Sequence, residues 1–183
     1  GPYDVSGDQG SVMFKPYSHP GYLPYLIYSY QEAYQLVPDA SKLFKAPYDT
    51  ILPPMFDGNH SLGDINKVLP SVPKDIVADD ILEAFLKDTA FVFRKALKDN
   101  DVYNWKPEAP VLLCYCKSDE QVSYKNSLKA ERTMKNNGAK NVRLRHSGKK
   151  FNHGTCALYT SIYTKMWFDS FQDILEFGRA KKY

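Results

Sequence analysis

Apolar positions follow two different rhythms along the chain. In residues 22–37, Tyr22, Leu23, Tyr25, Leu26, Ile27, Tyr28, Tyr30, Ala33, Tyr34, Leu36 and Val37 come too continuously for an amphipathic stripe, which predicts a largely buried helix. In residues 79–100, Ile81, Leu82, Phe85, Leu86, Ala90, Phe93, Ala96 and Leu97 recur at helical spacing. The acidic Asp79, Asp80 and Glu83 lie where the helix dipole is positive, so a second helix is predicted there. Between these two, residues 38–73 carry Pro47, Pro53, Pro54, Pro70 and Pro73 with Gly58 and Gly63. Prolines lack the donor that helices and ladders need, so this stretch predicts short helices joined by turns and has the character of an insertion. Residues 1–7 have strand-end character leading into a turn, and the Gly-, Pro-, Ser- and His-rich residues up to 20 predict a loop.

The second rhythm begins after residue 104. Ala109-Pro110-Val111-Leu112-Leu113-Cys114-Tyr115-Cys116 is a short apolar run entered through a proline, as suits a strand buried on both faces of a parallel sheet. Residues 124–137 predict a helix, ended by Gly138 where left-handed backbone is favoured. Residues 141–146 alternate apolar and charged positions as an edge-like strand does, and residues 155–177 return to a helical pattern. Strand, helix, strand, helix in this order implies a parallel crossover. The predicted fold class is α/β, divided into a strand end and turn (residues 1–8), a mostly helical insertion (9–103) and a sheet-bearing end (104–183). No internal repeat is visible.

A chain of 183 residues with 43% hydrophobic residues can bury one sizeable core and is too short for two ordinary domains of full size. Its 24 basic and 21 acidic residues are dispersed, so no nucleic-acid partner is implied. The one basic cluster, Arg143, Arg145, Lys149 and Lys150, has no interleaved aromatic residues on which bases could stack, and a solvated strand and loop account for it. No run approaches the roughly 18 apolar residues of a membrane span, and the chain opens at Gly1-Pro2 without a signal-like segment, so any targeting signal is expected upstream.

Three cysteines, Cys114, Cys116 and Cys156, show no metal-ligand spacing, and neither a metal nor another cofactor is expected. Cys114 and Cys116 share one side of the predicted strand, while Cys156 follows His153 on the segment that must approach that strand's end. One disulfide from either to Cys156 and three buried reduced thiols are both open readings at this point.

Two segments carry candidate chemistry. Lys117-Ser118-Asp119-Glu120-Gln121-Val122 follows the first strand and Phe151-Asn152-His153-Gly154 follows the second. Open α/β sheets place reactive groups beyond the carboxyl ends of their strands. A carboxylate at Asp119 could orient the ring of His153 and stabilise its imidazolium; the simpler alternative is that Asp119 or Glu120 caps the following helix. Gly154 would permit a tight turn around the histidine. His19, His60 and His146 have no such arrangement. Ser6, Ser61 and Ser118 lack the strained strand-to-helix turn of a nucleophilic serine, and no Gly-x-Ser-x-Gly segment occurs in the chain.

Several segments together resemble the secreted-esterase and secretory-lipase-like branch of the α/β hydrolases: Gly1-Pro2-Tyr3-Asp4-Val5-Ser6-Gly7, Tyr22-Leu23-Pro24-Tyr25, Phe56-Asp57-Gly58-Asn59-His60-Ser61-Leu62-Gly63, Asn100-Asp101-Val102-Tyr103-Asn104-Trp105, residues 110–122, and Asn152-His153-Gly154-Thr155-Cys156. The resemblance implies that residues 9–103 form a helical cap over an ester site, that the sheet-bearing end is the C-terminal part of an α/β-hydrolase parallel sheet, that Asp119 is the triad acid, and that His153 is the general base. It also implies that the nucleophilic serine, its oxyanion hole and the first strands lie upstream, leaving this chain inactive alone. Secretion, frequent in this branch, would favour a disulfide from Cys114 or Cys116 to Cys156. The expected partners are a small-molecule ester and either the upstream half of the same protein or a second copy joined through an exposed strand edge. Two competing functions share the architecture: a non-catalytic binding or interaction module, and a peptidase.

Overall fold

The computed structural model describes residues 2–180, with side chains as far as residue 171. The chain divides into two compact units, Pro2–Val102 and a second that begins at Tyr103.

The first unit is helical, and its proline spacing explains why several of its helices are short. α1 (Tyr22–Tyr34) stops at Gln35, which adopts a left-handed φ of 51° and donates its N–H to Gln31 O at 2.9 Å. The Gln31 side chain then grips both backbone groups of Val37, at 2.9 and 3.1 Å, turning Leu36 back into the core. The proline-rich stretch becomes a series of short pieces, α2 (Tyr48–Ile51), α3 (Leu62–Lys67) and 3-10 turns at Ala40–Lys42, Pro53–Met55 and Pro73–Ile76. Leu43, Leu52 and Ile76 are completely buried at the centre of this unit, with Ile27, Phe93 and Leu97 packed around them.

Three expectations for this unit change. α1 buries only Leu23, Pro24 and Ile27 and leaves Tyr25 60% exposed, so it is not a largely buried helix. Residues 79–100 form two helices, α4 (Asp79–Lys87) and α5 (Val92–Asp99). Asp88 makes the break: its side chain accepts the Ala90 N–H at 2.8 Å and its carbonyl accepts the Phe91 N–H at 3.2 Å. Arg94 then bonds the last carbonyls of α4, Phe85 O and Leu86 O, at 3.1 and 3.2 Å. Residues 2–8 form turns and no strand, because Asp4 folds the chain onto itself, its carbonyl accepting the Gln9 N–H and its carboxylate the Asp8 N–H. A side chain at Gly7 would collide with that carboxylate. Gly1 lies outside the described residues.

In the second unit β1 (Val111–Cys116) pairs in parallel with β2 (Val142–Gly148), from Val111 opposite Val142 to Cys116 opposite Gly148. α6 (Lys125–Asn136) makes the crossover and α7 (His153–Ala180) follows β2. α6 ends in a Schellman turn at Gly138, φ +90°, where the N–H groups of Gly138 and Ala139 reach Lys135 O and Met134 O at 2.9 and 3.0 Å. Side chains alternate across the strands: Tyr115 stacks on Tyr124 at the start of α6, while Cys114 and Arg145 meet Thr164 and Tyr163 of α7. α6 and α7 therefore cover opposite faces. Seven α-helices and this two-stranded parallel sheet make up the regular structure of the described residues, apart from short 3-10 turns.

Truncating Leu43, fully buried in the first unit, to alanine is expected to cost about 2–5 kcal/mol by denaturant unfolding. A loss below about 1 kcal/mol would mean that the centre of the first unit lies elsewhere.

Candidate active site

Because the strands are parallel, the segments leaving β1 and β2 emerge at the same edge of the sheet. The register shifts between Tyr115 and Cys116, a bulge of the kind that re-aims the chain beside functional loops. The loop beyond is stiffened by its own acid: Asp119 Oδ1 accepts the N–H groups of Gln121 and Val122 at 3.0 and 2.9 Å. Ser118 Oγ donates to Lys149 O at 2.6 Å, tying this loop to the segment that leads into α7.

The Nδ1 of His153 sits between both carboxylate oxygens of Asp119, at 3.1 and 3.0 Å. The Asp119 side chain is 11% exposed and that of His153 39% exposed. An ionised carboxylate only accepts, so the shared proton belongs on Nδ1, and in the neutral ring Nε2 is then the acceptor. A carboxylate-oriented imidazole whose Nε2 is the acceptor can take a proton from a hydroxyl and return it to a leaving group.

His153 differs from the expected loop residue, being the first residue of α7. Asn152 starts the helix early: its side chain accepts the Thr155 N–H at 2.9 Å, and its carbonyl accepts the Cys156 N–H at 2.8 Å. Gly154 is consequently helical, is not among the positive-φ residues and has open space where a Cβ would lie, so no tight turn depends on it. Neither Asp119 nor Glu120 caps α6. Glu120 instead accepts the backbone N–H of His153 at 3.0 Å, a role the apolar pattern does not reveal because that pattern begins the helix at residue 155, beyond His153. Burial raises the Glu120 pKa, but hydrogen bonds from its own backbone N–H, the His153 N–H and the Gln121 side chain outweigh it and hold the carboxyl below its ordinary range.

Cys116 and Cys156 form a disulfide across 40 residues of chain. Each half-cystine lies three residues from one of the paired side chains, Cys116 before Asp119 and Cys156 after His153. Cys114 stays a free thiol, half-buried, with its sulfur 4.0 Å from Thr164 Oγ1. Burial pushes that thiol up in pKa despite Thr164 and Arg145, which leaves it protonated and weakly nucleophilic near neutrality.

The other candidates are engaged elsewhere. Ser61 is the N-cap of α3 in a reciprocal capping box with Asp64, and Ser6 Oγ donates to Asp101 at 2.6 Å. His60, expected to have no acid partner, pairs with Asp57 at 2.9 Å inside a surface turn. Ser61 is turned toward Asp64, so this pair serves the turn. His19 contacts Ser18, and His146 packs against Tyr115 within the sheet. Among the aromatic residues of α1, Tyr28 packs edge-on against Phe44 and Phe56, and burial pushes its phenol up to about 12. Among the described residues no group of three His, Cys, Asp or Glu side chains gathers as metal ligands would, and no helix is long and apolar enough to cross a membrane.

No protein-family model matches the chain, and no curated protein matches it. Solved structures do. The rice cell wall degrading esterase LipA from Xanthomonas oryzae, in a ligand-bound form, is 26% identical with a TM-score of 0.71, over 82% of this chain and 42% of the esterase. A candidate hydrolase from Legionella pneumophila is 24% identical with a TM-score of 0.73, over 90% of this chain and 45% of that one, a likeness of fold alone. The chain thus has a partial α/β-hydrolase-like, esterase-like fold and spans less than half the length of the structures it matches.

Replacing Cys116 and Cys156 together by serine is expected to lower stability by about 4 kcal/mol, from loop-closure entropy over the 40-residue separation. Equal denaturation midpoints with and without reductant would contradict it. The depressed Glu120 carboxyl gives its contribution fully above the unfolded value of about 4.3 and loses it as pH falls through the lower folded value. The His153 amide proton resonance is accordingly expected to titrate with a midpoint below about 4.3; a midpoint at or above that would show that the bond does not favour the ionised form.

Proposed function

We propose that this chain supplies the acid and the base of a serine carboxylic-ester hydrolase acting through an acyl-enzyme. The observation that carries the reading is the Asp119 carboxylate on Nδ1 of His153, with Nε2 left as the acceptor nitrogen. The nucleophile would be a serine in a Gly-x-Ser-x-Gly turn, a segment this chain does not contain. In the proposed cycle His153 Nε2 takes the serine proton as the oxygen attacks the ester carbonyl, and Asp119 stabilises the imidazolium. His153 returns the proton to the departing alcohol; it then takes a proton from the attacking water and delivers it to the serine oxygen as the acid departs. The esterase activity of LipA, 26% identical over 82% of this chain, supports esters over peptides as substrates.

The remaining roles follow from this reading. Residues 9–103 act as a helical cap, and residues 104–183 as the C-terminal part of the hydrolase core. The expected partner is the upstream half of that core. Supporting it, β1 pairs only with β2 among the described residues, and Leu158, Ile162 and Met166 repeat every four residues along α7 while 62%, 50% and 63% exposed. The Cys116–Cys156 disulfide supports a secreted, periplasmic or cell-surface protein, since such bonds persist in oxidising compartments.

The test is turnover of a chromogenic carboxylic ester by the full-length protein and by its Asp119→Asn and His153→Ala variants. Asp119→Asn is expected to lower kcat by roughly four orders of magnitude and His153→Ala by roughly six. A serine-reactive phosphonate should label a residue outside these 183. Variants that keep most of the turnover would sink the assignment.

A further inference from the structure

The loop after β1 carries two adjacent carboxylates that act on one histidine at different atoms. Asp119 meets the ring at Nδ1, while Glu120 Oε2 accepts the backbone N–H at 3.0 Å. As the first residue of α7, His153 has an N–H without a carbonyl partner inside the helix. Asn152 already serves the N–H of Thr155, so Glu120 satisfies a separate donor. Its anion also lies at the positive end of the helix dipole, where negative charge is favoured.

Placement distinguishes this bond from an ordinary cap. A cap could come from any neighbouring acceptor, as Asn152 shows from within its own segment. Glu120 comes from the loop that holds Asp119, and that loop is fixed by the Gln121 and Val122 N–H groups on Asp119 Oδ1. The Cys116–Cys156 bond joins the same strand end to the same first turn of α7. Main chain and ring of His153 are therefore referred to one rigid segment.

We propose that Glu120 is a positioning residue for His153: by holding the backbone N–H of the first residue of α7, it fixes the point from which the imidazole pivots. Asp119 then meets Nδ1 squarely and Nε2 is presented in a constant direction. The inference rests on His153 as the general base, and Glu120 itself touches no reacting atom.

Glu120→Ala removes the acceptor, whereas Glu120→Gln keeps an oxygen of the same reach. In this chain the readout is the proton resonance of His153 Nδ1–H; in the full-length protein it is ester turnover, with thermal unfolding recorded for both. Glu120→Ala is expected to shift or broaden the Nδ1–H signal and to lower kcat about 10- to 100-fold with KM unchanged, the size of effect that slight misplacement of a catalytic group produces. Glu120→Gln is expected to restore both. An alanine variant that lowers Tm but leaves the resonance and kcat intact would reduce Glu120 to a helix cap and overturn the proposal. So would a loss confined to KM, or failure of glutamine to restore the signal. If the resonance responds as expected but the unmodified full-length protein turns over no ester, the positioning role stands and the ester-hydrolase reading falls.

Discussion

Parallel pairing of β1 with β2 is the constraint on which the candidate site depends. α6 carries the chain back so that both strands run the same way, and the segments leaving them emerge at one edge. Antiparallel strands of six and seven residues would put those two segments at opposite ends, about 20 Å apart. The Asp119–His153 contact at 3.0 Å is a consequence of that topology before it is a property of either side chain. Gly138 contributes from a distance, since its left-handed backbone closes α6 and lets the chain enter β2 in register with β1.

Different forces then fix different things at that edge. The disulfide makes the larger contribution to stability, because it removes the entropy of closing a long loop, whereas one hydrogen bond contributes only about 1 kcal/mol net. Hydrogen bonds, in contrast, set direction. Asp119 is held by two backbone N–H groups independently of the histidine, so its oxygens are already aimed when the ring arrives. Such preorganisation is what a carboxylate needs in order to stabilise a transient imidazolium without first reorganising.

The crossover half was more legible in the sequence than the helical half, for identifiable reasons. The run at residues 109–116 is continuously apolar and bounded by a proline, residues 141–146 alternate with period two, and Gly138 marks a helix end that only left-handed backbone explains. The nearness of Asp119 and His153 followed from their order after successive strands. Local side-chain competition for the backbone was the part that periodicity concealed. Asp88 sits inside a helical period yet captures the N–H of Ala90 and splits the segment, and Asn152 opens α7 earlier than its apolar pattern suggests. Both are short polar residues whose capping depends on surroundings that periodicity does not encode. The role of Glu120 is concealed for the same reason, since it exists only if His153 begins a helix. The aromatic run of α1 misled differently: Tyr25 and its neighbours gave high hydrophobicity, but a tyrosine can leave one edge in water.

The two units meet their need for burial in opposite ways. The helical unit closes around side chains of its own, with Leu43, Leu52 and Ile76 completely buried in one cluster. In the sheet-bearing unit, two parallel strands form the whole sheet among the described residues, and Leu158, Ile162 and Met166 make a stripe open to solvent on α7. Parallel sheets are stable when several strands are covered on both faces, and a pair of strands is marginal by itself. The proposed upstream strands would remedy both deficits together, adding neighbours to β1 and giving the stripe an apolar surface to meet. Under the proposed reading the serine would arrive with the strands that complete the sheet, so assembly of the core and assembly of the triad would be one event, with the Asp119–His153 contact formed beforehand.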